Sequence, residues 1–298
     1  MDFKNITVAG GGVLGSQIAY QTAFKGFSVV VYDIDDTALT RAQQRIQGLM
    51  ERYQEDLEVT KDDVEAAYHR IAFSSDLTEA VAKADLLIEA IPEVAAIKTD
   101  FYKKLGNVAP EKTIFATNSS TLLPSQFAEV SGRPAKFLAL HFANTIWINN
   151  TAEVMGHAGT DPKVFGEVAA FARSIGMVVL PLHKEQPGYI LNSLLVPLLN
   201  AAQLLLLNGV ADVETIDKTW MIATGAPQGP FAILDVVGIT TAYNITLAQA
   251  QTGDPVFEKL AQLLKTEYID RGKLGRETGE GFYTYPHPRY MDPDFLKS

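Results

Sequence analysis

The first forty residues constrain this chain more than any other stretch. Lys4-Asn5-Ile6-Thr7-Val8-Ala9 is a short, β-branched apolar run that reads as a strand, and Gly10-Gly11-Gly12-Val13-Leu14-Gly15 follows without a gap. Ser16 to Lys25 reads as a helix, with Ile18, Ala19 and Thr22 spaced for one buried face. Phe27 to Tyr32 is a second apolar run, closed by Asp33. Strand, glycine turn, helix, strand and terminal acid, in that order, form the unit that binds a dinucleotide. Gly10 then allows the tight turn, Gly12 lets the backbone approach a pyrophosphate, and Gly15 lets the helix pack closely on the strands. Val13 and Leu14 belong to the same turn and are expected among the cofactor contacts, and the N-terminus of the helix that follows offers free N–H groups to the phosphates. Asp33 lies 23 residues after Gly10, close to the spacing expected of the acid that binds the adenosine ribose diol. Asp35 and Asp36 follow and no arginine sits within that turn, so a 2′-phosphate is expected to meet three carboxylates. The expected cofactor is NAD rather than NADP.

The chain's 298 residues suit two domains, and 47% apolar with 20% charged residues is ordinary for a soluble globular protein. A formal charge of −10 argues against nucleic acid as a partner. The absence of cysteine excludes disulfides, thiolate nucleophiles and Cys-ligated metals, and fits a reducing compartment. A first strand beginning by Lys4 leaves no room for a targeting segment, so a cytoplasmic location is expected. The most apolar stretch, Gly188 to Leu207, is interrupted by Asn192, Ser193, Asn200 and Gln203, and a buried helix is expected there rather than a membrane span.

Strands and helices alternate as far as Leu180, which predicts a doubly wound, mostly parallel α/β sheet of the Rossmann type. From Gln186 to Arg271 helical spacing takes over, which predicts an all-α C-terminal domain. The expected domains are 1–184, which binds the nucleotide, and 185–298, which is helical.

Ligands of an open parallel sheet bind outside the carboxyl ends of its strands. Among the five histidines, only His141 ends an apolar strand on that side. Glu153 interrupts the next strand, Ala152-Glu153-Val154-Met155, where an ionised carboxylate is costly without a partner. Paired with His141 it suits a general base for an alcohol proton; the alternative is an edge-strand acid facing solvent. Asn118-Ser119-Ser120-Thr121 reads equally as capping for a helix from Leu122 or as donors for a substrate oxygen. Lys98 reads as an ordinary solvated helix lysine.

Several segments in one order carry a resemblance. They are Gly10 to Ala19, Glu89-Ala90-Ile91-Pro92-Glu93 with Lys98, Asn118-Ser119-Ser120, His141-Phe142-Ala143-Asn144, Ala152-Glu153-Val154, Gly188 to Pro197, Gly225 to Phe231 and Gly272 to Tyr283. Together they resemble the short, monofunctional L-3-hydroxyacyl-CoA dehydrogenases, including the 3-hydroxybutyryl-CoA dehydrogenases. The resemblance implies NAD-dependent, reversible oxidation of L-3-hydroxyacyl-CoA to 3-oxoacyl-CoA. It makes His141 the base and Glu153 its partner, with Ser120 and Asn192 holding the reacting oxygen and the thioester. It adds Glu93, Lys98, Asn118, Ser120 and Asn144 to the cofactor contacts, and implies that the helical half, 185–298, serves substrate binding and dimerisation, in a homodimer.

Two departures bear on substrate. Relatives usually read His-Phe-Phe-Asn-Pro where this chain has His141-Phe142-Ala143-Asn144-Thr145. The helical segment after Asp33 also carries Glu51, Glu55, Asp56, Glu58, Asp62 and Asp63 against Arg45, Arg52 and Lys61, an acidic surface for a ligand as anionic as CoA. A dehydrogenase of a smaller hydroxy acid or sugar acid, resembling those for carnitine or gulonate, is the alternative enzyme. A catalytically silent NAD-binding protein is the alternative outside enzymology.

Overall fold

The computed structural model describes residues 3–251 and 253–297. In chain order the strands are β1 (Asn5–Ala9), β2 (Ser28–Tyr32), β3 (Ile71–Ser74), β4 (Leu86–Glu89), β5 (Ile114–Thr117), β6 (Phe137–Phe142), β7 (Thr151–Met155) and β8 (Val178–Leu182). They form one sheet in the order β3-β2-β1-β4-β5-β6-β7-β8, parallel throughout except between β6 and β7. The chain leaves β1 toward β2 and β3, then returns to place β4 on the other side of β1. That reversal opens a crevice at the carboxyl ends of β1 and β4, where Ala9 and Glu89 are register partners.

Burial explains why the central strands read as unbroken apolar runs. β4, β5 and β6 are buried at every position because helices cover both faces. Leu86, Ile88, Leu138 and Leu140 enter one core with Ile6, Val8 and Ile18; Leu87, Phe115 and Phe137 enter the opposite one with Phe101 and Tyr102. By the period of two, Glu89 therefore falls on the Leu87 face. The helices of this unit are α1 (Val13–Phe24), α2 (Asp36–Leu57), α3 (Lys61–Tyr68), α4 (Leu77–Val81), α5 (Ala95–Val108), α6 (Ser125–Ala128) and α7 (Pro162–Ser174). α3 begins with a full capping box between Thr60 and Asp63.

The chain divides into two compact units, Met1–Asn192 and Ser193–Ser298. The second is all-helical, as expected, with the later turns of α8 (Tyr189–Leu207), then α9 (Val213–Thr224), α10 (Pro230–Val237), α11 (Ile239–Ala250) and α12 (Pro255–Glu267). Its core gathers Leu199, Phe231, Leu234, Ile239, Leu264 and Tyr283. Two buried aspartates organise it. Asp217 of α9 accepts from the N–H groups of Phe231 and Ala232, capping α10 from outside. Asp235 of α10 accepts from the N–H groups of Phe282 and Tyr283 and so holds the tail. A Cβ on Gly281 would lie 2.0 Å from the Asp235 carboxylate, which explains that glycine by contact.

The expectation of a buried helix over Gly188 to Leu207 is corrected. Only 17% of the apolar window of α8 is buried, with Leu194 70% exposed and Ile190, Leu191 and Leu205 also open. Spacing shows that a helix has an apolar surface, not that its own chain covers every side of it. By length and composition α8 is the single unbroken helix among the described residues that is long and apolar enough to cross a membrane.

Candidate active site

The glycine turn is built by close approach. Gly10 has φ +98°, and a Cβ there would lie 2.5 Å from the carbonyl oxygen of Ala90. On Gly15 it would lie 1.9 Å from the carbonyl oxygen of Gly10, so α1 reaches the strand only because both residues lack side chains. Gly12 faces open space and caps α1 without any side-chain acceptor, leaving the N–H groups of the first turn, with Val13 and Leu14, for an anion. Leu14 packs its side chain on the core, whereas Val13 is exposed. A cleft of about 570 Å³ opens beside the turn, lined by Gly10, Gly11, Gly12, Asp33, Ile34 and Arg41, among others. Asp33 is oriented by the N–H groups of Gly11 and Ile34, both at 2.8 Å. The cradle fits a dinucleotide.

One argument for NAD over NADP is corrected. Asp35 caps α2 through Ala38 N, and Asp36 accepts from Ser75 Oγ, so neither lines the cleft. Arg41, Arg45 and Lys104 do line it, brought there by helix faces that the linear spacing around Asp33 does not reveal.

At the carboxyl ends of β5, β6 and β4 the polar residues converge. The antiparallel register places His141 directly opposite Glu153, so both side chains leave the same face of the sheet. His141 Nδ1 lies 3.0 Å from Glu153 Oε2, and Nε2 lies 3.1 Å from Ser120 Oγ. β7 is an interior strand between β6 and β8, and Glu153 is 2% exposed, so the solvent-facing alternative is overturned. Its other oxygen, Oε1, accepts from the N–H groups of Ile190 and Leu191 at the start of α8, both at 2.9 Å. Burial works to raise the Glu153 carboxyl, but the imidazole and these two N–H groups outweigh it and hold it below the usual carboxylate range. An ionised carboxylate can only accept, so Nδ1 carries the hydrogen and Nε2 of the neutral ring presents a lone pair.

A second cluster supports the serine. Glu89, fully buried, accepts from Lys98 Nζ, Ile91 N, Tyr102 Oη and Thr117 Oγ1. Lys98 is buried, with Glu89 at 2.5 Å and Ile91 O and Glu93 each at 3.3 Å, so its three donors face three acceptors. It is neither a solvated lysine nor a lysine with a spare donor for a ligand. Glu93 Oε1 in turn accepts from Ser119 Oγ and from the N–H and hydroxyl of Thr121, gripping Ser120 from both sides. Burial pushes the Glu93 carboxyl up, yet the Ser119, Lys98 and Thr121 contacts prevail and lower it. No helix begins at Leu122, so these hydroxyls serve the loop rather than a cap.

The remaining expected residues sit as follows. Asn118 Oδ1 accepts from Phe142 N and locks the ends of β5 and β6 together. Asn144 is exposed, and its carbonyl accepts from the side chain of Asn149. Asn192 lies in the first turn of α8, where its N–H bonds to Gly188 O; its partly buried amide makes no contact with the His141–Glu153 pair among the described hydrogen bonds. The loop after His141 is anchored on the sheet unit: Thr145 N donates to Gln17 Oε1, and Trp147 Nε1 donates to Asp56. Thr145 has φ +60°, rare for a β-branched residue.

Two residues within the segments that carry the resemblance, Glu89 and Tyr189, receive no role from the sequence. Glu89 had a signal, a lone acid in an apolar strand. Tyr189 had none: its ring stacks on His141 with centroids 4.4 Å apart and planes 13° apart, and its hydroxyl donates to Ser119 O at 2.8 Å. Burial pushes its phenol up, aided by the nearby carboxylates, so it stays neutral. Its φ of +54° is a conformation that costs about 1–3 kcal/mol in a residue other than glycine.

Residues 5–186 match the model for the 3-hydroxyacyl-CoA dehydrogenase NAD-binding domain, and residues 188–285 match the C-terminal domain of the same enzymes. The chain belongs to the 3-hydroxyacyl-CoA dehydrogenase family. It is 34% identical over 286 residues to a probable 3-hydroxybutyryl-CoA dehydrogenase of Bacillus subtilis, covering 96% of this chain and 98% of that one. It is also 34% identical to the human mitochondrial hydroxyacyl-coenzyme A dehydrogenase, covering 95% and 91%. Among solved structures it is similar to a diketoreductase described for substrate-directed dual catalysis of dicarbonyl compounds. That match has 56% identity and a TM-score of 0.90, over 96% of this chain and all of the other. The chain is thus an NAD-dependent dehydrogenase of the 3-hydroxyacyl-CoA dehydrogenase family.

Proposed function

We propose that the chain interconverts a 3-hydroxyacyl and a 3-oxoacyl compound, with acyl-CoA thioesters as the first substrate class. The observation that carries this reading is the imidazole of His141, bound at Nδ1 by an ionised acid and open at Nε2 beside Ser120 Oγ. Bound NAD supplies the hydride acceptor, and NADH the donor. Oxidation of a secondary alcohol also requires loss of its hydroxyl proton. His141 Nε2 takes that proton, and Glu153 stabilises the imidazolium through Nδ1. Ser120 Oγ, steadied by Glu93 on either side, positions the substrate oxygen toward Nε2, and Asn192 is assigned to the acyl carbonyl. In the other direction the imidazolium donates to the ketone. Gly10, Gly12, Val13, Leu14, Gly15 and Asp33 hold the adenylate and pyrophosphate; Glu93, Asn118, Ser120 and Asn144 stand toward the nicotinamide end.

A second substrate reading is supported by the 56% identical diketoreductase and by the acidic α2–α3 segment: a dicarbonyl compound without CoA. Initial rates of NADH oxidation with acetoacetyl-CoA, a 3,5-dioxo ester and acetoacetate separate the two, with carnitine and gulonate tested in the NAD direction. Preference for the thioester supports the CoA reading, and preference for the dioxo ester replaces it. Turnover of carnitine or gulonate alone would overturn both. The exposed apolar side chains of α8 support a homodimer built on that helix. Sedimentation at micromolar concentration should give twice the chain mass, and a monomer would refute it.

A further inference from the structure

We propose that Tyr189 is a positioning residue for the base: its ring holds the plane of the His141 imidazole so that Nε2 stays aimed at the substrate oxygen. This inference rests on the reading of His141 given above. At rest the imidazole meets Glu153 at Nδ1 and Ser120 Oγ at Nε2. When Nε2 turns to the substrate proton, the carboxylate is the hydrogen-bond partner left to hold the ring, and one such bond does not by itself fix its plane. The Tyr189 ring lies nearly parallel to the imidazole, with centroids 4.4 Å apart, and blocks one face. The ring is itself fixed at its far end, because Oη donates to the carbonyl oxygen of Ser119, the residue before Ser120. That contact adds to the packing that seats the ring, and it is the flat face of the ring that bears on the imidazole.

The backbone shows that this placement is enforced. Gly188 and Tyr189 both have positive φ, +78° and +54°, an unusual pair that turns the chain sharply before α8. The turn brings three consecutive residues onto the pair: Tyr189 covers His141, while Ile190 N and Leu191 N bind Glu153. Strain retained in a residue other than glycine, beside a catalytic pair, is the observation from which a functional constraint is inferred. The aromatic face also suits the imidazolium, because a cation over a buried ring is favoured where water cannot compete.

The experiment compares wild type, Tyr189→Phe, Tyr189→Leu and His141→Ala, with saturating NADH and the preferred 3-oxoacyl substrate. Turnover in wild type and its loss in His141→Ala test the parent reading alone. If that holds, Tyr189→Leu should lower kcat at least 30-fold while the NADH dissociation constant, read by nucleotide fluorescence, stays within twofold. Tyr189→Phe, which keeps the ring, should recover kcat to within about threefold of wild type. Tyr189→Leu turning over within threefold of wild type overturns the proposal, as does Tyr189→Phe losing as much as Tyr189→Leu. Should Tyr189→Leu fail to fold, Tyr189→Met is judged by the same limits.

Discussion

Glu153 and Glu93 in the sheet unit, and Asp217 and Asp235 in the helical unit, all accept hydrogen bonds from backbone N–H groups. Only the two glutamates also face an imidazole or an ammonium, His141 for one and Lys98 for the other. The aspartates have no cationic partner among the described residues; burial outweighs their N–H and tyrosine contacts and raises both carboxyls, while it fails to do so for the glutamates. The capping aspartates and these two glutamates thus share backbone N–H donors and differ in the charge beside them. The capping acids fix chain geometry, and the charged clusters fix protonation states at strand ends where ligands bind.

The largest effect expected from breaking this contrast is on rate. His141→Ala should lower kcat by about 10²–10⁴-fold, about 3–5 kcal/mol of barrier, with folding intact. Near-normal turnover at saturating NAD and substrate would remove His141 from its role. Asp235→Ala should do the reverse. It strands the N–H groups of Phe282 and Tyr283 and the hydroxyl of Tyr285, at about 1–3 kcal/mol each, so about 3 kcal/mol or more of stability should disappear in a denaturant titration. A loss below 1 kcal/mol would show that the tail does not depend on that carboxylate.

Glu153→Gln keeps the shape and removes the charge, and kcat should fall about 10- to 100-fold with little change in melting temperature. Equal loss of rate and stability would place Glu153 with the capping acids. Smaller again is the pH response, which should have opposite sign in the two units. Glu153 and Glu93 are lowered from 4.5, so their contribution is complete above that pH and is lost as pH falls below it. Asp217 and Asp235 are raised from 3.8, so stability of the helical unit falls as pH rises from 3.8 through their folded values. Trp147 and Trp220, one per unit and the only tryptophans, report this separately in the Trp220→Phe and Trp147→Phe variants. The same sign for both probes would contradict the contrast. The smallest expected change is at the turn before α8, where Gly188→Ala at φ +78° should cost about 1 kcal/mol.

Much of the sheet unit was legible because its signals are local. The Gly10 to Gly15 turn and the histidine ending β6 each lie within a few residues of what they specify. Asp35 and Asp36 show the limit. Proximity to Asp33 in sequence suggested that they share its cleft, but a cap and a serine contact take them elsewhere, and Arg41 enters from the next turns of α2. Lys98 looked like any helix lysine because its partner Glu89 is nine residues away on a strand. The exposed face of α8 was hidden for the opposite reason, since an apolar pattern is the same whether it is covered by its own chain or left open.

By itself the sequence determined the dinucleotide cradle, the change from alternating strands and helices to helices alone, and the membership of His141 and Glu153 in neighbouring apolar strands. Periodicity and turn chemistry are properties of a few adjacent residues, so they survive in one dimension. The tertiary structure alone decided that β7 runs against β6 in the register setting His141 opposite Glu153, that Lys98 is buried between two carboxylates, and that Tyr189 lies flat on the imidazole. These pairings join residues 5 to 48 positions apart, and a pattern that says which face a side chain takes does not say what it will meet there.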